Sequence, residues 1–213
     1  FNPYLGYGTF VMPAIIMVII QQTMLIGIGM IGGTWREFGL YRKLCPPDRK
    51  RMSTLPIVLG KALVYGIIYS LTTFYILGLH YRLFHYPMNG ATGTIVVFML
   101  AYMAACIALG IAISTLFRYR ENSLLLLLWT SIPLLMLSGV SYPREGIPDW
   151  LFNLGQIFPS SHGVNAFIRI QSMGASLSEV LSEIRMLCIL ALVYGGLACI
   201  GIHLVLNLSL KHI

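Results

Sequence analysis

LSGVSYPREGIPDWLFNLGQIFPSSHG, residues Leu137 to Gly163, breaks a chain that otherwise consists of long apolar runs. Pro143 ends the run before it. Asp149-Trp150-Leu151-Phe152-Asn153-Leu154 follows Pro148 as a helix start, since proline is tolerated in a first turn. Pro159-Ser160-Ser161 then restarts a helix whose Val164, Phe167 and Ile168 form one apolar stripe. A helix needs roughly 20 apolar residues to cross about 30 Å of hydrocarbon. Two helices shorter than about 15 residues, spanning about 148–172, cannot do so, and are predicted to lie in the interface or to dip in and return.

Outward from this stretch, composition leaves a single fold class. The chain has 57% hydrophobic and only 10% charged residues, against about 25% charged in soluble domains. Its mean hydropathy is +0.80. Apolar runs at about 10–33, 58–79, 93–117, 123–141 and 186–208 predict five transmembrane helices in one transmembrane domain over 1–213. No run alternates with the period of a transmembrane barrel, so the reading is an all-α integral membrane protein. Cys106, Cys188 and Cys199 fall inside predicted spans, a pattern of small hydrophobes and not a disulfide framework. His80 and His85 in the turn near residue 85 lack the further ligands of a metal site.

The net charge of +7 is explained by topology, and nucleic acid need not be invoked. Arg36, Arg42, Lys43, Arg49, Lys50, Arg51, Lys61, Arg118, Arg120 and Lys211, ten of the fourteen basic residues, share one predicted side. The positive-inside rule makes that side cytoplasmic, with the N-terminal residues outside and the C-terminus inside. Residues 34–61, ended locally by Pro46-Pro47, are expected to form a short amphipathic surface helix and a loop, which suits anionic lipid or an acidic partner.

Gln21 and Gln22 fall in the middle of the first span, where an amide is costly unless partnered. Two readings stay open: interhelical hydrogen-bond glue, or a substrate path. Gly27, Gly29, Gly32 and Gly33 would admit close helix approach or a bend. Ala104, Ala108 and Ala112, and Ala191, Gly195 and Cys199, offer small-residue faces for the same purpose. Ser160 or Ser161 beside His162 suggests an intramembrane hydrolase or acyltransferase, but no residue to orient the base is evident and no G-x-S-x-G or H-E-x-x-H motif occurs. No span carries an ionisable residue near its middle, which disfavours ion-coupled transport. Gly60-Lys61 lacks the rest of a phosphate-binding loop, so ATP is not bound by that motif.

Leu137-Ser138-Gly139, Tyr142-Pro143, Ile147-Pro148, Trp150-Leu151 and Phe158-Pro159-Ser161-His162 together resemble the external end of ABC-2-type permeases, the membrane subunits of type V ABC exporters. Phe1-Asn2-Pro3, Phe10-Val11-Met12-Pro13, Leu59-Gly60-Lys61 and Gly110 with Ser114-Thr115-Leu116 are similar to motifs of the drug-efflux branch. The resemblance implies six helices, of which this chain would supply the second to sixth, the first helix and an external domain preceding Phe1. It implies no cofactor on this chain, with ATP and Mg on a separate ABC ATPase subunit. It also implies a second permease subunit, identical or not, membrane lipids and a periplasmic adaptor as partners, in the cell inner membrane. On the residues, it implies a substrate path at Gln21 and Gln22, ATPase coupling through Arg36, Glu37, Arg42 and Lys43, and an external gate or cap of Tyr142, Pro143, Pro148, Trp150, Pro159 and His162. The coupling stretch departs from the family's usual pattern after Arg36-Glu37, where Phe38-Gly39-Leu40 and a basic insert follow. The expected function is export of an amphipathic drug or lipid-like substrate by alternating access, with polysaccharide export as the alternative.

Overall fold

A computed structural model describes residues 7–41, 54–84, 88–137 and 146–211. All of the regular structure there is helical. Helix α1 is Tyr7–Glu37. Helix α2, Leu55–Phe74, runs into a π-helical turn, Tyr75–His80, and a last short piece, α3, Tyr81–Leu83. Then come α4, Thr92–Ser114, and α5, Arg120–Leu137. The short pair is α6, Asp149–Gly155, and α7, Pro159–Met173. Helix α8, Leu181–Lys211, closes the chain.

Four of these are long and apolar enough to cross a membrane, over Val11–Glu37, Leu55–Leu79, Thr92–Ser114 and Leu181–Asn207. The expected span at 123–141 corresponds to α5, and residues 138–145 lie outside the described part. One expectation is altered. Thr34–Glu37 do not open a separate surface helix but complete α1, whose 31 residues reach about 46 Å, longer than the hydrocarbon is thick. Residues 42–53 of the expected surface segment lie outside the described residues.

Successive long helices alternate in direction. The end of α1, the start of α2, the end of α4 and the start of α5 gather at one end of the bundle, where Arg36 Nη1 donates to the Thr115 carbonyl at 2.9 Å. Arg36, Lys61, Arg118 and Arg120 belong to this end. The most extensive packing is α4 on α8, then α5 and α4 on α1. Helix α4 is the centre: Phe98, Tyr102, Ala105 and Cys106 are fully buried. Phe98 stacks on Tyr102 at 6.0 Å and on Phe167 of α7 at 6.2 Å. The small-residue reading holds in part. Ala191, Cys199 and Ala112 pack against the core, whereas Ala104 is exposed and a Cβ at Gly195 would meet nothing.

The GIGMIGG glycines serve close approach. At Gly29 a Cβ would collide with Ser123 of α5, and at Gly33 it would come within 2.9 Å of the Arg120 backbone. These two contacts set the register of α1 against α5. In contrast, α2 is mostly exposed: Leu63, Ile67, Leu71 and Phe74 present apolar surface outward, as a lipid-facing helix must.

Candidate functional site

From residue 146 on, the break that interrupts the apolar pattern folds as a helical hairpin that re-enters the bundle. Gln21 stands near the midpoint of α1, and Ser160 at the start of α7 is bonded to it, so the α6–α7 tip lies halfway along the long helices. The other end of α7 sits level with the start of α4, where Asn89 N–H donates to the Gln171 carbonyl at 3.1 Å. Helix α7 ends on Gly174, in the left-handed region at φ 65°, whose N–H donates to the Ile170 carbonyl. Such a cap favours glycine because no Cβ clashes.

A turn placed so deep must satisfy its own backbone, because hydrocarbon offers no partner. The carbonyls of the tip are met in succession. Ser161 Oγ donates to Gly155 at 2.7 Å, and His162 Nε2 donates to Gln156 at 3.0 Å. The Tyr194 hydroxyl of α8 donates to Ile157, and the Ser161 N–H to Phe158 at 3.2 Å. The first turn of α7 also exposes N–H groups without intrahelical acceptors. Pro159 removes one by lacking it, and Gln21 Oε1 accepts the Ser160 N–H at 2.7 Å. Gln21 Nε2 donates to Ser160 Oγ at 3.2 Å, and Cys106 Sγ donates weakly to Gln21 Oε1 at 3.8 Å. Helix α7 can come this close because residue 163 is glycine: a Cβ there would overlap the Tyr102 ring, which is itself pinned by a 2.7 Å bond from its hydroxyl to the Met17 carbonyl.

Gln22 has a different environment. It is 6% exposed, yet among the described residues neither its Nε2 nor its Oε1 has a hydrogen-bond partner. It lies two turns before Gly29 on the same helical face, the face that meets α5, where the buried Ser123 hydroxyl also has no partner among the described residues. The two neighbouring amides of the sequence therefore divide: one holds the hairpin, the other remains unpaired beside the α1–α5 seam.

Of the other expected site residues, Arg36 ties α1 to the end of α4, and Glu37 is exposed one residue further on. Arg42, Lys43, Tyr142 and Pro143 lie outside the described residues. Pro148 stands just before α6, and Trp150 on it is 68% exposed. Pro159 is buried at the tip and His162 is half-buried beside it, so these two are separated from Trp150 by the length of α6. Ser160, Ser161 and His162 are bonded to Gln21 or to tip carbonyls, and among the described residues no Ser–His hydrogen bond joins them. Among the described residues no group of three or more His, Cys, Asp or Glu could hold a metal. Tyr102, Cys106 and Tyr194 complete the hairpin's seat; the sequence reading took Cys106 only as a small hydrophobe and did not single out the two tyrosines. Their only signal was a polar atom in an apolar run.

Comparison with known proteins agrees with this architecture. The chain is 26% identical over 198 residues to the probable multidrug ABC transporter permease YbhR of Escherichia coli K12, covering 93% of this chain and 53% of the relative. The O157:H7 strain's protein of the same name matches equally. ABC transporter G family member 20 of Dictyostelium discoideum is 26% identical over 99 residues, 46% of this chain and 14% of that protein. The chain thus spans about half the length of the YbhR proteins it matches. No solved structure matches it. Residues 1–200 match the family described as ABC-2 family transporter protein. With its long apolar helices and a match over nearly its whole length, this chain is a multi-pass membrane protein belonging to the ABC-2 transporter family.

Proposed function

We propose that the chain is the membrane-spanning permease part of an ATP-driven ABC exporter that moves an amphipathic drug or lipid-like molecule out of the cytoplasm or the inner membrane by alternating access. The observation that carries this reading is the unpaired amide of Gln22 at the α1–α5 seam. Leaving a buried amide unsatisfied costs about 1–3 kcal/mol. That cost is offset if the seam opens and the amide bonds a substrate or a rearranged neighbour in another state. The two YbhR relatives are named as probable multidrug permeases, which supports the amphipathic substrate class.

In this reading the end bearing Arg36, Lys61, Arg118 and Arg120 faces the cytoplasm, by the charge rule, and the chain's C-terminus lies there in the inner membrane. A separate ABC ATPase subunit binds ATP and Mg and acts on the segment around Arg36, Glu37, Arg42 and Lys43. Glu37, exposed at the end of α1, is the residue best placed for a docking contact. A second permease subunit faces this one across the pathway. Tyr142, Pro143, Pro148, Trp150, Pro159 and His162 belong to the external gate, with Gln21 holding its inner tip and Gln22 lining the path below. Membrane lipids and a periplasmic adaptor complete the assembly.

The test is dye efflux from cells expressing the full-length protein with its ATPase, using a panel of cationic and neutral amphipathic dyes. Efflux is expected to vanish when the ATPase's phosphate-binding lysine is replaced, to fall with Gln22→Leu, and to lose its coupling to ATP hydrolysis with Glu37→Ala. Efflux that persists without the ATPase sinks the reading.

A further inference from the structure

Lys61 has so far entered only as a positive charge at one end of the bundle, but its contacts are specific. It stands in the second turn of α2, with Nζ 5.0 Å from the centroid of the Trp35 ring and 4.8 Å from that of Tyr41. Nζ also donates a hydrogen bond to the Tyr41 hydroxyl at 3.3 Å. The two rings meet edge to face, 5.7 Å apart at 66°. Tyr41 is 2% exposed and belongs to the main core, and Trp35 packs against that core. Burial raises the Tyr41 phenol above its ordinary value, which keeps it neutral and able to accept the lysine's N–H.

The geometry matters because of where the three groups sit in the chain. Trp35 is in the last turn of α1, Tyr41 is four residues beyond its end, and Lys61 is in α2, so together they bracket residues 42–53. A cation over an aromatic face is attracted by the ring's quadrupole, more strongly when water is excluded. Direct packing between α1 and α2 is otherwise slight, and among the described residues the Tyr69 hydroxyl donates to the Thr23 carbonyl as a further polar link. Arg36, next to Trp35, fastens the same end to α4.

We infer that Lys61 is a positioning residue: its ammonium, set against both the Trp35 and Tyr41 rings, clasps the end of α1 to the start of α2, so that the two helices move together at this end of the bundle. The link to ATP rests on the exporter reading above, whereas the clasp itself does not.

The experiment uses the full-length protein with its ATPase in nanodiscs, the native cysteines replaced, and nitroxide labels at the exposed positions 38 and 55. The wild type should give one narrow distance distribution. Lys61→Met and Trp35→Leu should each broaden it, with a shift of about tenfold in the closed-to-open ratio, and the double variant should be no broader than either single one. Lys61→Arg, which still stacks on aromatic faces, should stay narrow and guards against a misfolded Met variant. In a background with every other tryptophan of the full-length protein replaced by Phe, Lys61→Met should also shift the emission of Trp35. A narrow distribution in Lys61→Met overturns the inference. So does broadening by Lys61→Met without broadening by Trp35→Leu, which would make the lysine a plain interfacial charge. Trapping the ATPase with ATP and vanadate should move both labels in concert relative to a third at exposed position 119. Independent movement overturns the inference, while no movement of either counts against the ATP-driven reading and leaves the clasp to the distance data.

Discussion

The α6–α7 tip and the α1–α5 seam both bury polar groups among apolar helices, and they treat them in opposite ways. At the tip, carbonyls 155 to 158, the Ser160 N–H and the Gln21 amide are all engaged. At the seam, Gln22 and Ser123 are buried and have no hydrogen-bond partner among the described residues. The first arrangement is that of a part meant to hold still: each bond removes a cost that hydrocarbon would otherwise impose. The second is that of a surface with more than one state, since an unpaired amide is retained at a loss unless another arrangement uses it. A single helix, α1, presents both surfaces through adjacent residues.

The largest test of this contrast strikes the tip where it is tightest. Gly163→Val sets a branched side chain into the pinned Tyr102 ring, and overpacking there should cost about 3 kcal/mol or more, read as lost folded yield or a lowered denaturation midpoint in detergent. Gln21→Leu leaves the Ser160 N–H without an acceptor, for an expected loss of about 2 kcal/mol in the same assay. A neutral result would break the comparison, because the tip would then hold without its seat.

At the far end of α7, Arg169 donates to Glu183 at 2.6 Å and to the Glu179 carbonyl. The guanidinium is partly exposed, so Arg169→Met should cost only about 1 kcal/mol, and the loss should shrink at high salt. Gln22→Leu sharpens the comparison from the other side. It should change stability by less than about 0.5 kcal/mol or raise it, since it removes two unpaired polar atoms, while transport falls. Equal destabilisation by Gln21→Leu and Gln22→Leu would mean that the seam is as fixed as the tip.

The smallest effect concerns the exposed loop before α8. Hydrogen bonds from the Ser176 N–H and then its hydroxyl hold Glu179 below the usual carboxylate range. A depressed folded value gives stabilisation that is present above the unfolded pKa and is lost as pH falls through the folded one. Ser176→Ala should therefore move the Glu179 titration upward toward the ordinary range, followed by carboxyl NMR, with the backbone bond retaining part of the shift.

Much of this architecture was legible because hydrophobic length is a strong signal and prolines punctuate it. The helix starts at Pro148 and Pro159 fall where the sequence puts them, with α6 and α7 covering nearly the expected 148–172. Leu55–Leu79, Thr92–Ser114 and Leu181–Asn207 each overlap an expected span. The end of α1 was misplaced because Trp35, Arg36 and Glu37 look interfacial by composition. Nothing local tells a helix to stop there, and Arg36 finds its acceptor on α4. The small-residue faces were partly misread, because a stripe of Ala and Gly shows that close approach is possible but not which helix comes close.

The sequence by itself determined that this chain lives in a membrane as helices, where the short pair begins and which residues are polar in apolar surroundings. Those facts follow from the cost of exposing backbone and charge to hydrocarbon, which each segment meets within itself. Only the tertiary structure decided how deep the short pair goes, which of two adjacent glutamines is engaged, and that Lys61 meets two rings. Hydrogen bonds and ring contacts join residues as distant as Gln21 and Ser160, 139 positions apart, and local pattern carries no record of which distant partner the packing brings near.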